Sequence, residues 1–92
     1  MIGRDVTVVN RLGIHARAAA RLVRTASAYR SAVRIERADR SASADAKSIL
    51  SVLMLAAARG TELRVTADGI DEREALDAVW SLISSGFGET EG

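Results

Sequence analysis

Short segments in which apolar and polar residues alternate predict four β-strands. Val6 and Val8 alternate with polar neighbours across residues 5–9, which is the period of a half-buried strand. The same alternation predicts three further strands at 32–37, 41–44 and 62–67. The 41–44 strand is short and weak, and it would pair with its predecessor as a hairpin across a polar turn.

Three other segments have the three-to-four spacing of amphipathic helices. The first helix is predicted over residues 16–29. The second is predicted from about Ala46 to Ala58, capped by Asp45 and terminated by Gly60. The third is predicted from Asp71 to Gly86, with acidic residues in its first turn.

The resulting order βαββαβα, in which every strand is polar on one side, predicts an α+β fold. We expect a four-stranded, largely antiparallel sheet with three helices on one face and solvent on the other. The chain has 92 residues, enough for one small domain, and we expect residues 88–92 to form a flexible tail.

Composition and charge exclude several classes of protein. The formal net charge is +1 with both signs interspersed, which argues against nucleic acid as a partner. The chain has no cysteine, so it offers neither a disulfide nor a thiolate metal site. The longest apolar region, Ile49 to Ala58, is far shorter than the roughly 20 residues that span a bilayer. We therefore expect a cytoplasmic protein that does not enter a membrane.

The stretch LGIHARA contains the chain's only histidine, His15, at the predicted start of the first helix. A lone histidine is commonly only a surface or partly buried residue. Here, however, the free N–H groups and positive dipole end of the helix favour an anion. A neutral imidazole can attack a phosphoryl group, and the nearby Arg17 can bind phosphate oxygens. Arg21 and Arg24 share the helix face of Arg17, and for them the pattern favours a solvated surface.

Other kinds of chemistry lack the residues that they need. No second histidine, cysteine or cluster of glutamates lies near His15 to complete a metal site, and no base and orienting acid for a hydrolytic triad is evident. We predict no metal and no cofactor.

The second helix is apolar around more of its circumference than one sheet can cover. If Val52, Leu55 and Ala56 face inward, an apolar flank remains that could dock a partner or could pack under neighbouring helices. Ser48, in the first turn, is either an ordinary polar residue or a modification site beside that flank. The full set of candidate docking residues is Ala16, Ala20, Arg21, Arg24, Lys47, Ile49, Leu50 and Leu53.

Several separated motifs together resemble the histidine-containing phosphocarrier family HPr of the bacterial phosphotransferase system, including its nitrogen-branch form NPr. These are GIHAR, KSIL about thirty residues later, GTEL before the last strand, and the ending SSGF. The resemblance extends over nearly the whole chain, from Val6 to Phe87, and agrees with the βαββαβα order.

The resemblance implies an open-faced β-sandwich in which His15 accepts a phosphoryl group on Nδ1 from Enzyme I, itself charged by phosphoenolpyruvate. The group then passes to an Enzyme II A domain. Arg17 would stabilise the phosphoryl oxygens, and Ile49, Leu50 and Leu53 match the family's docking helix. Ser48 matches a serine that a dedicated kinase modifies in some members. On this interpretation the protein is a stoichiometric carrier, not an enzyme, and we expect a monomer.

Two departures from the family pattern concern the same motifs. Ala18 stands where the family usually has proline, and alanine is a strong helix former, so we expect transfer to survive. Ser51 stands where glycine is frequent, which weakens the case for a kinase acting on Ser48. Relatives that lack the histidine keep only a regulatory role, so the presence of His15 favours a working carrier.

Two alternative functions remain open from the sequence. The protein could instead be a regulatory adaptor that binds targets according to its phosphorylation state, or an unrelated structural domain. The sequence also does not separate sugar uptake from the nitrogen branch or identify the Enzyme II that is served, although the run VLML leans towards the nitrogen branch.

Overall fold

The computed structural model describes residues 1–89 and contains four strands, three helices and a terminal 3₁₀ turn. The strands are β1 (Ile2–Thr7), β2 (Ala32–Arg37), β3 (Ser43–Asp45) and β4 (Glu62–Asp68). The helices are α1 (Ala16–Ser27), α2 (Ile49–Leu53) and α3 (Glu72–Ser84), and the 3₁₀ turn is Gly86–Gly88.

The strands form one antiparallel sheet in the order β1-β4-β2-β3. The predicted hairpin between β2 and β3 is present, with Ile35 opposite Ala44. Strand β4 joins that hairpin to β1, and Val65 lies opposite Ile35 on the inner face. The predicted α+β fold is confirmed, because the sheet is antiparallel throughout and three helices accompany it.

The hydrophobic core lies between the inner face of the sheet and the helices. Alternate residues of β2 and β4 are buried, while most of their neighbours face solvent, as the period of two requires. Helix α1 contributes Leu22 and α3 contributes Val79, both fully buried. Phe87 is the largest fully buried side chain and seals the core beside the end of α3.

Helix α2 is much shorter than the predicted span from Ala46 to Ala58. Residues before it are bonded to the sheet, since the backbone N–H of Ala46 donates to the Val33 carbonyl at 2.9 Å. After it, Ala56 has a left-handed φ of 50° and is exposed, although the sequence placed this residue inward. Carbonyls of this segment accept from other parts of the chain, so tertiary hydrogen bonds override helix propensity here.

The caps of α2 and α3 also differ from prediction. Asp45 belongs to β3, and its carboxylate accepts from the N–H of Lys47 at 2.9 Å, so it does not cap α2. Asp71 stands at the start of α3 but makes no side-chain cap bond there, because its carboxylate binds the α1–β2 loop. Gly60 lies seven residues beyond the last residue of α2, in the turn that leads to β4.

Within the described residues no helix is long and apolar enough to cross a membrane.

Candidate functional site

The loop between β1 and α1 is built around a tight turn that ends at His15. The N–H of Gly13 donates to the Asn10 carbonyl at 3.1 Å, and the Asn10 side chain donates back to the Gly13 carbonyl at 2.8 Å. Asn10 is only 2% exposed, so its amide is held by these bonds inside the protein. The turn therefore has a defined shape immediately before the histidine.

Gly13 allows this loop to approach the segment that follows α2. Its φ is +66°, and a Cβ at this position would lie 2.5 Å from the carbonyl oxygen of Ala57. The next N–H, that of Ile14, donates to the same oxygen at 2.9 Å. The segment after α2 is therefore part of the site, because the Ala57 carbonyl fixes the chain one residue before His15.

His15 occupies the N-cap position of α1, as the sequence predicted when it placed this residue at or beside a helix N-terminus. Its backbone is extended, and its Nδ1 accepts from the N–H of Arg17 at 3.2 Å. The side chain is 27% exposed, so the ring is reachable from solvent yet held on one side. Nδ1 thus faces the free N–H groups of the first helical turn, where an anion is favoured.

The other ring nitrogen has a partner that the sequence analysis missed. Nε2 lies 2.5 Å from Oε2 of Glu89, and Oε1 of the same carboxylate accepts from the Asn10 side chain at 2.8 Å. Because Nδ1 accepts a hydrogen bond, we assign the ring proton to Nε2, which donates to the carboxylate. Hydrogen bonds from Asn10 and then His15 lower the pKa of Glu89, with a smaller contribution from the charge of Arg17.

Glu89 falls within the predicted flexible tail at residues 88–92. Gly88 and Glu89 are placed by contacts with the rest of the chain, whereas residues 90–92 lie outside the described residues. No local sequence signal points to Glu89, since it lies 74 positions from the histidine. Within the loop itself, the sequence offered Asn10, a polar residue between the predicted first strand and Gly13, as a candidate for orienting His15.

Arg17 and Arg21 have different surroundings, although they share a helix. Arg17 is exposed in the first turn of α1, where its charge contributes to the lowered pKa of Glu89. Arg21 donates from Nη1 to the backbone carbonyl of Phe87. Arg21 therefore ties residues 86–89, the C-terminal segment of the described chain, to α1, whereas the sequence had indicated a solvated or a docking residue.

An exposed apolar surface lies on α2. Its members are Ile49, Leu50 and Leu53, together with Met54 at the end of the helix, and Leu50 and Met54 are 67% and 73% exposed. Val52 and Leu55 face inward as predicted. The predicted flank is therefore free of cover within the described part of the chain, which is the condition for docking a partner.

The remaining predicted docking residues are dispersed around α1 and the start of α2. Ala16 and Arg24 are exposed, and Ala20 is half-buried. Lys47 is half-buried, and its Nζ donates to the Tyr29 carbonyl at 2.8 Å, so its side chain is engaged within the protein.

Ser48 is the N-cap of α2 and does not lie within its first turn. Its Oγ accepts from the N–H of Ser51 at 3.3 Å, and the residue is half-buried. A phosphate on this oxygen would change the start of the helix that carries the apolar surface.

His15 and Arg17 are accessible from solvent, since the His15 side chain is 27% exposed and Arg17 is exposed. A cavity of about 580 Å³ is lined by residues of the β1 edge, β2, β4 and α3, including Asp5, Glu36 and Trp80, and contains neither of them. Within residues 1–89 no group of three or more His, Cys, Asp or Glu side chains could hold a metal ion. The site can therefore receive a group presented by another protein.

Comparison with known proteins gives consistent matches along the chain. The family model described as "PTS HPr component phosphorylation site" matches residues 2–85. Phosphocarrier protein HPr of Cupriavidus necator is 47% identical over 91 residues, covering 99% of this chain and 100% of that protein. Phosphocarrier protein NPr of Proteus mirabilis is 40% identical over 86 residues, covering 94% of each. The crystal structure of HPr-C-His from Thermoanaerobacter tengcongensis superposes with a TM-score of 0.90 at 36% identity, covering 99% and 100% of the two chains.

Proposed function

Because the chain belongs to the HPr family of the phosphotransferase system, we propose that His15 is the residue on which it carries the phosphoryl group. The protein is a phosphocarrier of that system, and its family implies Enzyme I and Enzyme II as partners. His15 accepts the group on Nδ1 from phosphorylated Enzyme I, which phosphoenolpyruvate charges, and delivers it to an Enzyme II A domain.

The position of Nδ1 is the observation that carries this proposal. The nitrogen lies at the N-terminus of α1 and accepts the Arg17 N–H, so its lone pair is directed towards the end of the helix. When Nδ1 bonds to phosphorus, that N–H is released and can donate to a phosphoryl oxygen. The dipole end of α1 stabilises the incoming negative charge in the same place.

Arg17 supplies the cation of the site. Its exposed guanidinium carries five N–H donors and keeps its charge at any working pH, so it can bind the equatorial phosphoryl oxygens during in-line transfer. It binds the group without taking or giving a proton, which suits reversible transfer between two proteins.

The open surface around His15 suits a stoichiometric carrier that its partners phosphorylate and dephosphorylate, not an enzyme with its own substrate pocket. We place the protein in the cytoplasm, where its partners would charge and discharge it, and we infer that it works as a monomer.

The apolar surface of α2 is the docking surface in this proposal. Ile49, Leu50 and Leu53 are exposed. Arg24 and Ala16 are exposed on α1 and Ala20 is half-buried there, so they can extend the contact beside His15. Both Enzyme I and the Enzyme II A domain would use this surface in turn, because each must reach the same nitrogen.

We propose that phosphorylation of Ser48 by a serine kinase controls that docking. The serine is at the N-cap next to Ile49, so an added phosphate would place charge beside an apolar contact. Ser51 in place of the frequent glycine counts against recognition by such a kinase. A purely regulatory adaptor is not favoured, since the relatives are phosphocarriers of both the HPr and NPr kinds.

The proposal is tested by incubating the protein with Enzyme I and radiolabelled phosphoenolpyruvate. The unmodified chain should gain an acid-labile, base-stable label, as expected for a phosphorus–nitrogen bond. His15→Ala should gain none, because this is the only histidine in the chain.

Ser48→Ala is the matched control, and it should keep the full label. Incorporation of label into His15→Ala would contradict the proposed acceptor. Rates with the carbohydrate and the nitrogen forms of Enzyme I would then assign the branch.

A further inference from the structure

The C-terminal segment is folded back so that one carboxylate meets the ring of His15. Phe87 is fully buried, and its carbonyl accepts from Arg21. The N–H of Glu89 donates to the Gly86 carbonyl at 3.1 Å, which closes the turn. These contacts bring Glu89 to the Nε2 side of the imidazole, opposite the N–H of Arg17.

Asn10 connects this carboxylate to the loop that carries the histidine. Its Nδ2 donates both to the Gly13 carbonyl and to Oε1 of Glu89, each at 2.8 Å. A single buried amide thus orients the turn before His15 and the carboxylate beyond it. The two acceptors also fix which end of the amide carries the donors.

The imidazole is consequently held by a hydrogen-bond donor at one ring nitrogen and by an acceptor at the other. At Nδ1 it accepts the Arg17 N–H, and at Nε2 it donates to Glu89. A hydrogen bond made by one ring nitrogen of a histidine sets which nitrogen carries the proton and orients the ring. In this arrangement the free lone pair belongs to Nδ1, the nitrogen that faces the helix N-terminus.

We propose that Glu89 is a positioning residue for phosphoryl transfer, whose carboxylate holds the Nε2 proton and so keeps the Nδ1 lone pair directed at the incoming group. This inference rests on the proposed role of His15 as acceptor. It adds a residue outside the GIHAR motif to the machinery of the reaction.

The transfer step balances without any proton leaving the ring. The Nδ1 lone pair forms the bond to phosphorus, while the bond between phosphorus and the phosphorylated donor protein breaks and its electron pair stays with the donor. The ring keeps its Nε2 proton and becomes formally cationic. The Glu89 carboxylate lies against that proton and offsets the new charge. On delivery to the acceptor the same events run in reverse.

Glu89→Gln tests the proposal, since it keeps the size of the side chain and removes its charge. The maximal rate of phosphoryl transfer from Enzyme I should fall about 10- to 100-fold, by analogy with the loss of the carboxylate partner of a metal-binding histidine. The KM for the carrier should stay unchanged, because the apolar surface of α2 is untouched. Leu50→Ala should show the converse, a raised KM with the maximal rate preserved.

A spectroscopic measurement reads the contact independently of activity. In proton NMR the Nε2–H of His15 should give a downfield resonance protected from exchange, and Glu89→Gln should abolish it. Glu74→Gln, an exposed acid on α3, is the matched control and should change neither the resonance nor the rate.

The inference is overturned if the unmodified protein lacks this resonance, or if Glu89→Gln transfers as fast as Glu74→Gln. Failure of the proposed function has a different signature. In that case the unmodified protein would take no label on His15, while the resonance would still report whether Glu89 binds the ring.

Discussion

Substituting Gly13 by alanine tests how the site is held against the body of the fold. The backbone there has a φ of +66°, and the added Cβ would lie 2.5 Å from the Ala57 carbonyl oxygen and 2.9 Å from Cα of Ala58. Both atoms are backbone, so relief requires the loop and the segment after α2 to separate. Such a separation would break the bond from the Ile14 N–H to Ala57 and move His15.

The magnitude follows from two costs. An L-residue in the left-handed region costs roughly 1–2 kcal/mol, and loss of a backbone hydrogen bond adds about 0.5–1.5 kcal/mol. We therefore expect Gly13→Ala to lower the free energy of unfolding by about 1.5–3.5 kcal/mol. For a domain of this size each kcal/mol lowers Tm by about 4–8 °C, so the expected loss is about 6–28 °C.

Gly60→Ala is the matched control, because Gly60 also has a positive φ, +90°, yet a Cβ there meets nothing within 4 Å. It should incur the conformational cost alone. Thermal unfolding followed by circular dichroism measures both variants, and transfer from Enzyme I is assayed well below each Tm. Gly13→Ala should also transfer more slowly than Gly60→Ala. If the two variants lose equal stability and transfer equally fast, the close approach of the loop to Ala57 does not hold the site.

Two further predictions concern the guanidinium of Arg17 at the site and the carboxylate of Asp71 outside it. Arg17→Ala should lower the rate of transfer from Enzyme I about 100-fold. Arg17→Lys should lower it less, because lysine keeps the charge but lacks the planar guanidinium. Equal rates for the unmodified protein and both variants would show that Arg17 takes no part in the reaction. Hydrogen bonds from the Ser31 hydroxyl and from the Arg30 and Ser31 backbone lower the pKa of Asp71 from 3.8 to about 2. The carboxylate therefore stabilises the fold at pH values above its ordinary pKa of 3.8, and this stabilisation is lost as the pH falls towards 2. The free energy of unfolding measured in urea should therefore fall more steeply in that window for the unmodified protein than for Asp71→Asn. Asp77→Asn, exposed on α3, is the control. An equally steep fall in Asp71→Asn would show that these bonds do not link folding to pH.

Strands β2 and β4 and two of the helices were predictable because their signals are local and agree with their burial, whereas β1 runs over Ile2–Thr7 and not over the predicted residues 5–9. β2 was predicted with its observed ends, and the predicted α1 was only two residues longer than the observed helix. Alternation identified the inner residues of each strand, since side-chain direction in a strand follows from position alone. The motif around His15 indicated an anion site at the N-terminus of α1, because a strand, a glycine and a helix follow each other directly along the chain.

Helix α2 shows where local signals are insufficient. An apolar and alanine-rich run predicted a helix from Ala46 to Ala58, but only five residues are helical. The flanking backbone is committed elsewhere, to Val33 on one side and to Ile14 and Arg37 on the other. Helix propensity amounts to a few tenths of a kcal/mol per residue, which a set of tertiary hydrogen bonds outweighs.

Periodicity and adjacent residues were enough to predict the fold class and the position of His15 at the start of α1. The partner of each ring nitrogen, the length of α2 and the exposure of its apolar flank follow from long-range contacts. Glu89 reaches Nε2 through the burial of Phe87, the bond from Arg21 and the amide of Asn10. Such contacts between distant residues depend on how the chain packs, so no spacing along the sequence encodes them.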